Sequence, residues 1–192
     1  MPKERLTAFS DGVIAIIITI MVLEMKAPHH ADLASLAALT PVFLSYVLSF
    51  LYLAIYWNNH HHLLMAAERV DGAILWANMH LLFWLSLIPF ATAWMGENEF
   101  ASLPVAVYGL ALLMPAVAYF ILQMAIIRRH GREGTLAKAL GADWKGKLSP
   151  FAYLAGIVLA FTEPMISEAL YVLVALVWLV PDRRIERAIG VK

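Results

Sequence analysis

Residues 5–25 read RLTAFSDGVIAIIITIMVLEM, a short polar start followed by a long run of isoleucine, valine, leucine and methionine. The apolar part approaches the roughly 20 residues that a helix needs to cross a bilayer. The rest of the chain has the same character, since 62% of its 192 residues are hydrophobic and only 15% are charged. A soluble domain carries about 25% charged residues. The composition excludes a disordered chain and favours an integral membrane protein.

Six long apolar runs, separated by polar or proline-containing joints, predict six membrane-spanning helices. We expect these spans at residues 8–25, 41–63, 73–95, 104–127, 149–163 and 165–181. The length leaves room for one bundle only, so residues 1–192 are predicted to form a single all-α membrane domain.

Basic residues are concentrated on alternate joints between the predicted spans. If the chain starts inside, all but one of its 14 basic residues fall on inner segments, and Lys26 alone lies outside. The outer joints are acidic and carry Asp32, Glu97, Glu99 and Glu163. Because basic loops are retained on the cytoplasmic side, both termini are predicted to be cytoplasmic. The basic stretch at residues 128–147 is interpreted as a topology determinant, with no nucleic acid as a partner.

The composition also excludes several kinds of active centre. The chain has no cysteine, which removes disulfide scaffolds, thiol nucleophiles and cysteine-ligated metal sites. It contains no glycine-rich phosphate loop and no nucleophile elbow. These absences remove cysteine-based, phosphate-loop and nucleophile-elbow centres, and no others.

The first predicted helix has two different faces. At about 100° per residue, Ile16, Ile20 and Leu23 lie within roughly 60° of one another. Asp11 lies about 140° away from Ile16 by the same geometry. Taken alone, the isoleucine stripe is typical of a lipid-facing or core surface, and Ser10 and Asp11 are typical N-caps. Polar groups at membrane depth are costly, however, and are normally paired or functional.

Three consecutive histidines, His60, His61 and His62, lie in the second predicted span. On a helix they point about 100° apart, and the i, i+4 spacing typical of zinc sites is missing, so we expect no metal site. Two other functions stay open at this point. One is a metal-dependent hydrolase that uses these histidines, and the other is a proton-coupled transporter or proton leak through Asp11, His60 and His80. The lack of a polar path through residues 16–23 argues against both of these functions.

Several motifs together resemble the transmembrane protein 175 family, the lysosomal potassium channels and their prokaryotic relatives. The first span starts with the pattern RxxxFSDG, formed by Arg5, Phe9, Ser10, Asp11 and Gly12. The second span carries WxNHH and the third an asparagine followed by Pro-Phe, at Trp57, Asn59, His60, His61, Asn78, Pro89 and Phe90. The ending LVPDRRIER, residues 179–187, is also similar. The resemblance therefore covers nearly the whole chain, in the single six-span form of the prokaryotic members.

The resemblance implies a homotetrameric, potassium-selective cation channel in a prokaryotic inner membrane, without a TVGYG filter. Four copies of the first helix would line the pore. Its hydrophobic constriction would fall on Ile16, Ile20 and Leu23, with the Thr19 hydroxyl behind the first layer. The polar motif residues would form a network that fixes the rotation of this helix: Arg5, Ser10, Asp11, Trp57, Asn59, His60 or His61, and Asn78. The expected partners are further copies of the chain, the lipid bilayer and potassium ions. The resemblance also implies a protein that is not an enzyme and that needs no cofactor.

Overall fold

A computed structural model describes residues 2–131, residue 136 and residues 144–179. These residues form eight α-helices and no β-strand, which confirms the all-α prediction for the described part of the chain. The helices are α1 Lys3–Glu24, α2 Leu33–Ala37, α3 Thr40–Met65, α4 Gly72–Ser86, α5 Ile88–Glu97, α6 Ser102–His130, α7 Trp144–Leu159 and α8 Pro164–Leu179.

Four described segments are long and apolar enough to cross a membrane. They are α1, α3, the combined segment Gly72–Glu97 and α6, and they agree with the first four predicted spans to within a few residues. The fifth and sixth predicted spans correspond to α7 and α8, which are each 16 residues long. The predicted end of the sixth span, residues 180–181, and most of the LVPDRRIER motif lie outside the described residues.

The third predicted span is divided at Leu87 into α4 and α5. Pro89 has no backbone N–H, and its ring collides with the carbonyl four residues earlier in a regular helix. The Leu87 N–H therefore donates to the Trp84 carbonyl at 3.2 Å, and the regular pattern resumes where Ala91 donates to Leu87 at 3.2 Å. The break lies within a continuous apolar segment, Gly72–Glu97, that is long enough to cross a membrane.

The joint after α1 contains the short helix α2, which the sequence analysis did not predict. The Asp32 carboxylate caps this helix by accepting the Ser35 backbone N–H at 2.7 Å. Hydrogen bonds from Ser35 hold the pKa of the Asp32 carboxyl below its usual value. A carboxylate with a lowered pKa stabilises the folded form at neutral pH, and this contribution is lost as the pH falls through the lowered pKa.

The predicted basic joint is partly helical, and its first residues connect the neighbouring ends of α3, α4 and α6. His130 Nε2 accepts the backbone N–H groups of Glu68 and Arg69, each at 3.1 Å. Arg129 forms an ion pair with Asp71 at 3.4 Å. The loop between α3 and α4 is therefore fastened to the end of α6. Six other basic residues used to predict the topology lie outside the described residues: Arg132, Lys138, Arg183, Arg184, Arg187 and Lys192.

The helices pack around two hydrophobic clusters. The first joins α1, α3, α4, the start of α5 and α6, and includes the buried side chains of Ile14, Ile17 and Leu81. The second joins α3, α5, α6, α7 and α8 around Tyr52 and Tyr108. As a result, α1 packs on one side of the bundle, and α7 and α8 form a separate layer.

Tyr171 of α8 fills a space that two glycines leave between α6 and α7. A Cβ atom at Gly109 would lie 2.7 Å from Tyr171 Cζ and 2.8 Å from Ile157 Cγ1. A Cβ atom at Gly156 would lie 2.9 Å from the same Cζ atom. Because Tyr171 is completely buried, its ring has little freedom to move away. These glycines therefore allow the close approach of three helices.

Gly109→Ala is expected to lower the free energy of unfolding by about 1–3 kcal/mol, the usual cost of overpacking a core. Thermal unfolding in detergent, followed by size-exclusion chromatography, measures this loss. Gly72→Ala is the matched control, because a Cβ atom at Gly72 would meet nothing within 4 Å. Equal unfolding temperatures for the two variants would show that the contact with Tyr171 is not tight.

Candidate functional site

Helix α1 has one buried face and one exposed face. Ile14 and Ile17 are almost fully buried in the first hydrophobic cluster. Ile16, Ile20 and Leu23 are instead 59%, 42% and 73% exposed. A continuous apolar face of this kind requires lipid or protein to cover it. The three residues selected from the sequence therefore lie together on a surface that one subunit leaves uncovered.

A groove of about 480 Å³ runs along this exposed face, between α1 and the start of α5. Ile16 and Ile20 form its α1 wall, and Pro89 and Phe90 form the opposite wall. Phe90 is itself 65% exposed. The break before α5 thus places the Pro-Phe motif of the third span beside the isoleucine stripe of the first.

Thr19 lies next to this stripe on the exposed part of α1. Its hydroxyl donates a hydrogen bond to the Ala15 carbonyl at 2.9 Å, within the same helix. Because the hydroxyl proton is donated within α1, the Thr19 hydroxyl can interact with other groups through its oxygen, as a hydrogen-bond acceptor.

A buried chain of hydrogen bonds joins α1, α3 and α4. Asn78 Nδ2 donates to Ser10 Oγ at 2.9 Å, and Asn78 Oδ1 lies 2.6 Å from His60 Nε2. The Ser10 hydroxyl in turn donates to the Leu6 carbonyl at 2.9 Å. Ser10, His60 and Asn78 are all completely buried. We call these three residues the anchoring chain.

The anchoring chain sets the tautomer of the histidine. An amide oxygen only accepts hydrogen bonds, so the neutral imidazole of His60 carries its proton on Nε2 and donates it to Asn78. His60 Nδ1 is buried and has no hydrogen-bond partner among the described residues. Leaving a buried polar group without a partner is costly in a membrane protein. The pairing of Ser10 with Asn78 therefore favours the one rotation of α1 that brings the two side chains together.

A second and more exposed contact also links α1 to α3. Trp57 Nε1 donates to Asp11 Oδ1 at 3.0 Å. The His61 ring lies 6.2 Å from the Trp57 ring, so His61 belongs to this outer contact. His60 is the histidine in the anchoring chain, and His61 lies outside it.

Other motif residues lie outside both contacts. Asn59 Nδ2 donates to the Ile55 carbonyl of its own helix at 2.8 Å. Phe9 is 50% exposed. A Cβ atom at Gly12 would meet nothing within 4 Å. Within the part of the chain that the structure describes, Arg5 has neither a hydrogen bond nor an ion pair, so this motif residue is not joined to the network in a single subunit.

The groups proposed for the alternative functions do not converge. The described residues contain no group of three or more His, Asp or Glu side chains placed to hold a metal ion. Asp11 is bonded to Trp57 and His60 to Asn78, whereas His80 Nε2 accepts from Trp84 at 2.8 Å. These separate partners leave the three residues without a shared hydrogen-bonded path in the described structure.

A second buried polar chain was not predicted from the sequence. Ser49 Oγ lies 2.6 Å from Thr92 Oγ1 and 2.9 Å from the Tyr108 hydroxyl. It therefore joins α3, α5 and α6 within the second hydrophobic cluster. In the sequence, the feature that could have indicated this chain is a hydroxyl side chain in the middle of each of three apolar spans.

Comparisons with known proteins identify the family. A family model described as "Endosomal/lysosomal potassium channel TMEM175" matches residues 5–89. A potassium channel of Chryseobacterium sp. (strain P1-3) is 53% identical over 189 residues, which cover 98% of each chain. The chain belongs to the TMEM175 family. The matched TMEM175 segment begins at Arg5 and ends at Pro89, so it contains the RxxxFSDG and WxNHH motifs, and the resemblance found in the sequence is confirmed.

A solved TMEM175 structure has the same fold. The crystal structure of a lysosomal potassium-selective channel TMEM175 homolog from Chamaesiphon minutus matches with a TM-score of 0.82 and 29% identity. The match covers 94% of this chain and 97% of the other. The human endosomal/lysosomal proton channel TMEM175 is 32% identical over 103 residues, which are 47% of this chain and 20% of the human protein. The TMEM175 family is one of ion channels, and this chain is accordingly a membrane protein.

Proposed function

We propose that this TMEM175-family chain forms a homotetrameric, potassium-selective channel whose pore is lined by α1 of each subunit. Two relatives support potassium as the permeant ion, since their names describe a potassium channel and a potassium-selective channel. The observation that carries the proposal is the uncovered apolar face of α1, with Ile16, Ile20 and Leu23 at 59%, 42% and 73% exposure. Four such faces around one axis would cover each other.

In this proposal the three side chains form stacked hydrophobic layers, which act as constriction and filter. An apolar ring offers an ion no ligands, so a narrow ring blocks conduction by losing its water. Conduction then requires a wider state or transient hydration of the ring. The anchoring chain of Ser10, Asn78 and His60 holds α1 at the rotation that directs these layers toward the axis.

The proposed topology has six spans, both termini in the cytoplasm and one domain over residues 1–192, in a prokaryotic inner membrane. The distribution of basic residues supports this orientation. Helices α7 and α8 are the fifth and sixth spans, and the turn at residues 160–163 connects them on the outer side. The acidic residues assigned to that side raise the local concentration of cations near the entrance.

A proton current through the same pore is the second candidate function. The observation that favours it is the name of the human relative, which describes a proton channel. A proton crosses a narrow hydrated ring more easily than a potassium ion, because it is passed between water molecules and needs no coordination shell. The two candidates therefore share one pore and differ in the state of the constriction.

Flux measurements on the purified protein in liposomes test the proposal, with gradients of potassium, sodium and protons imposed separately. We expect potassium flux that exceeds sodium flux. Proton flux without potassium flux would favour the second candidate, and no cation flux would contradict both. Native mass spectrometry of the same preparation tests the tetramer.

A further inference from the structure

A second cavity lies away from α1, among α3, α6, α7 and α8, and has a volume of about 320 Å³. One part of its wall is apolar and includes Tyr52, Ala116 and Tyr153. Ala116 has the smallest side chain of these three lining residues. This volume is at the lower end of the range for small-molecule sites.

The other part of the wall contains polar groups that lack partners. Gln123 is only 7% exposed and lines the cavity, yet its side-chain amide has no hydrogen bond within the described structure. The Tyr56 hydroxyl, on the same wall, has none there either. The neighbouring hydroxyl of Tyr119 differs, because it donates to the Asn59 carbonyl at 3.0 Å. The Gln123 amide and the Tyr56 hydroxyl therefore border the cavity as polar groups that a ligand can pair with.

The cavity also has a positive charge at its edge. Lys147, in the first turn of α7, lines the cavity and forms neither a hydrogen bond nor an ion pair within the described part of the chain. The described lining residues include no aspartate or glutamate. An ammonium group, an amide and a hydroxyl together provide donors suited to an anionic headgroup.

The volume limits the apolar part of the ligand. One carbon-sized group occupies about 30 Å³, similar to the share of one water molecule in the liquid. A cavity of about 320 Å³ therefore holds roughly ten such groups, which is one short hydrocarbon chain. A phospholipid with two acyl chains would have to leave most of its volume outside the cavity.

We propose that this cavity binds a single-chain fatty acid of about ten carbons. The hydrocarbon chain lies among Tyr52, Ala116 and Tyr153, and the carboxylate accepts hydrogen bonds from Lys147 and Gln123. This site is separate from the proposed pore and does not depend on the transported ion.

Equilibrium binding of radiolabelled decanoate to the full chain in phosphatidylcholine nanodiscs tests the site, with empty nanodiscs as background. We expect saturable binding of about one decanoate per subunit. Ala116→Phe fills the cavity and Lys147→Glu reverses its charge, and each is expected to weaken binding at least tenfold. Gln123→Leu keeps the side-chain volume and is expected to weaken binding less strongly.

Matched controls separate the site from general effects of the substitutions. Val117→Phe places the same phenylalanine side chain at an exposed position of α6, and Lys26→Glu makes the same charge change outside the cavity. Both controls are expected to bind decanoate like the unmodified chain. Binding that does not saturate, or that is equal in all variants, would overturn the proposal. Equal competition by decyltrimethylammonium, or a phospholipid retained in the site, would also overturn it.

Discussion

Replacing Ile16 with alanine is expected to raise cation flux and to lower the discrimination between potassium and sodium severalfold. The physical reason is that alanine widens the proposed apolar ring in every subunit at once. A wider ring stays hydrated, and hydrated potassium and sodium ions then pass with similar ease. Liposome flux measured with potassium and sodium gradients gives both quantities from one preparation.

Ile166→Ala is the matched control for the Ile16 substitution. Ile166 lies on α8 and is 49% exposed. Its replacement by alanine therefore removes a comparable apolar surface far from α1. We expect this control to leave flux and selectivity unchanged. Unaltered selectivity in Ile16→Ala would remove this residue from the constriction, even if the protein conducts potassium.

Asn78→Leu is expected to lower the free energy of unfolding by about 2–4 kcal/mol, because it leaves two buried polar groups without their partner. The Ser10 hydroxyl loses a donor at 2.9 Å, and the His60 ring loses its acceptor at 2.6 Å. Thermal unfolding in detergent measures the loss. Since α1 would also lose its fixed rotation, potassium selectivity is expected to fall in the fraction that remains folded.

Asn59→Leu provides the control for the anchoring chain. Asn59 belongs to the same motif, but among the described residues its side-chain amide bonds to the Ile55 carbonyl of its own helix. Its replacement is therefore expected to cost much less stability. If Asn78→Leu does not fold, Ser10→Ala removes one end of the chain and gives a milder test. Equal unfolding temperatures for the Asn78 or Ser10 variant and the Asn59 control would contradict the anchoring role.

The long apolar segments were predictable from the sequence because an apolar segment that crosses a membrane must form a helix. Backbone polar groups in lipid must pair within the segment, so an apolar run of sufficient length forms a helix. Helices α1, α3 and α6 follow this rule. The break at Leu87 had a local signal in Pro89, whereas α2 depends on a single cap at Asp32. Apolar composition alone does not reveal either feature.

The partners of the polar residues were not predictable from periodicity. Consecutive residues on a helix differ by about 100°, so the sequence allows either His60 or His61 to face α4. The packing of three helices decides the question, and places His60 against Asn78 and His61 beside Trp57. The cavity beside Gln123 is likewise invisible in the sequence, because its walls come from four helices that are distant along the chain.

The central claim is that the exposed face of α1 lines the pore, and thiol labelling tests it most directly. The chain contains no cysteine, so Leu23→Cys introduces a single reactive site on a position that is 73% exposed. We predict that a membrane-impermeant, cationic thiol reagent stops most of the potassium flux through Leu23→Cys in liposomes. The same reagent is expected to leave Ile166→Cys unaffected. Full modification of Leu23→Cys, verified by mass spectrometry, with undiminished potassium flux would contradict the account.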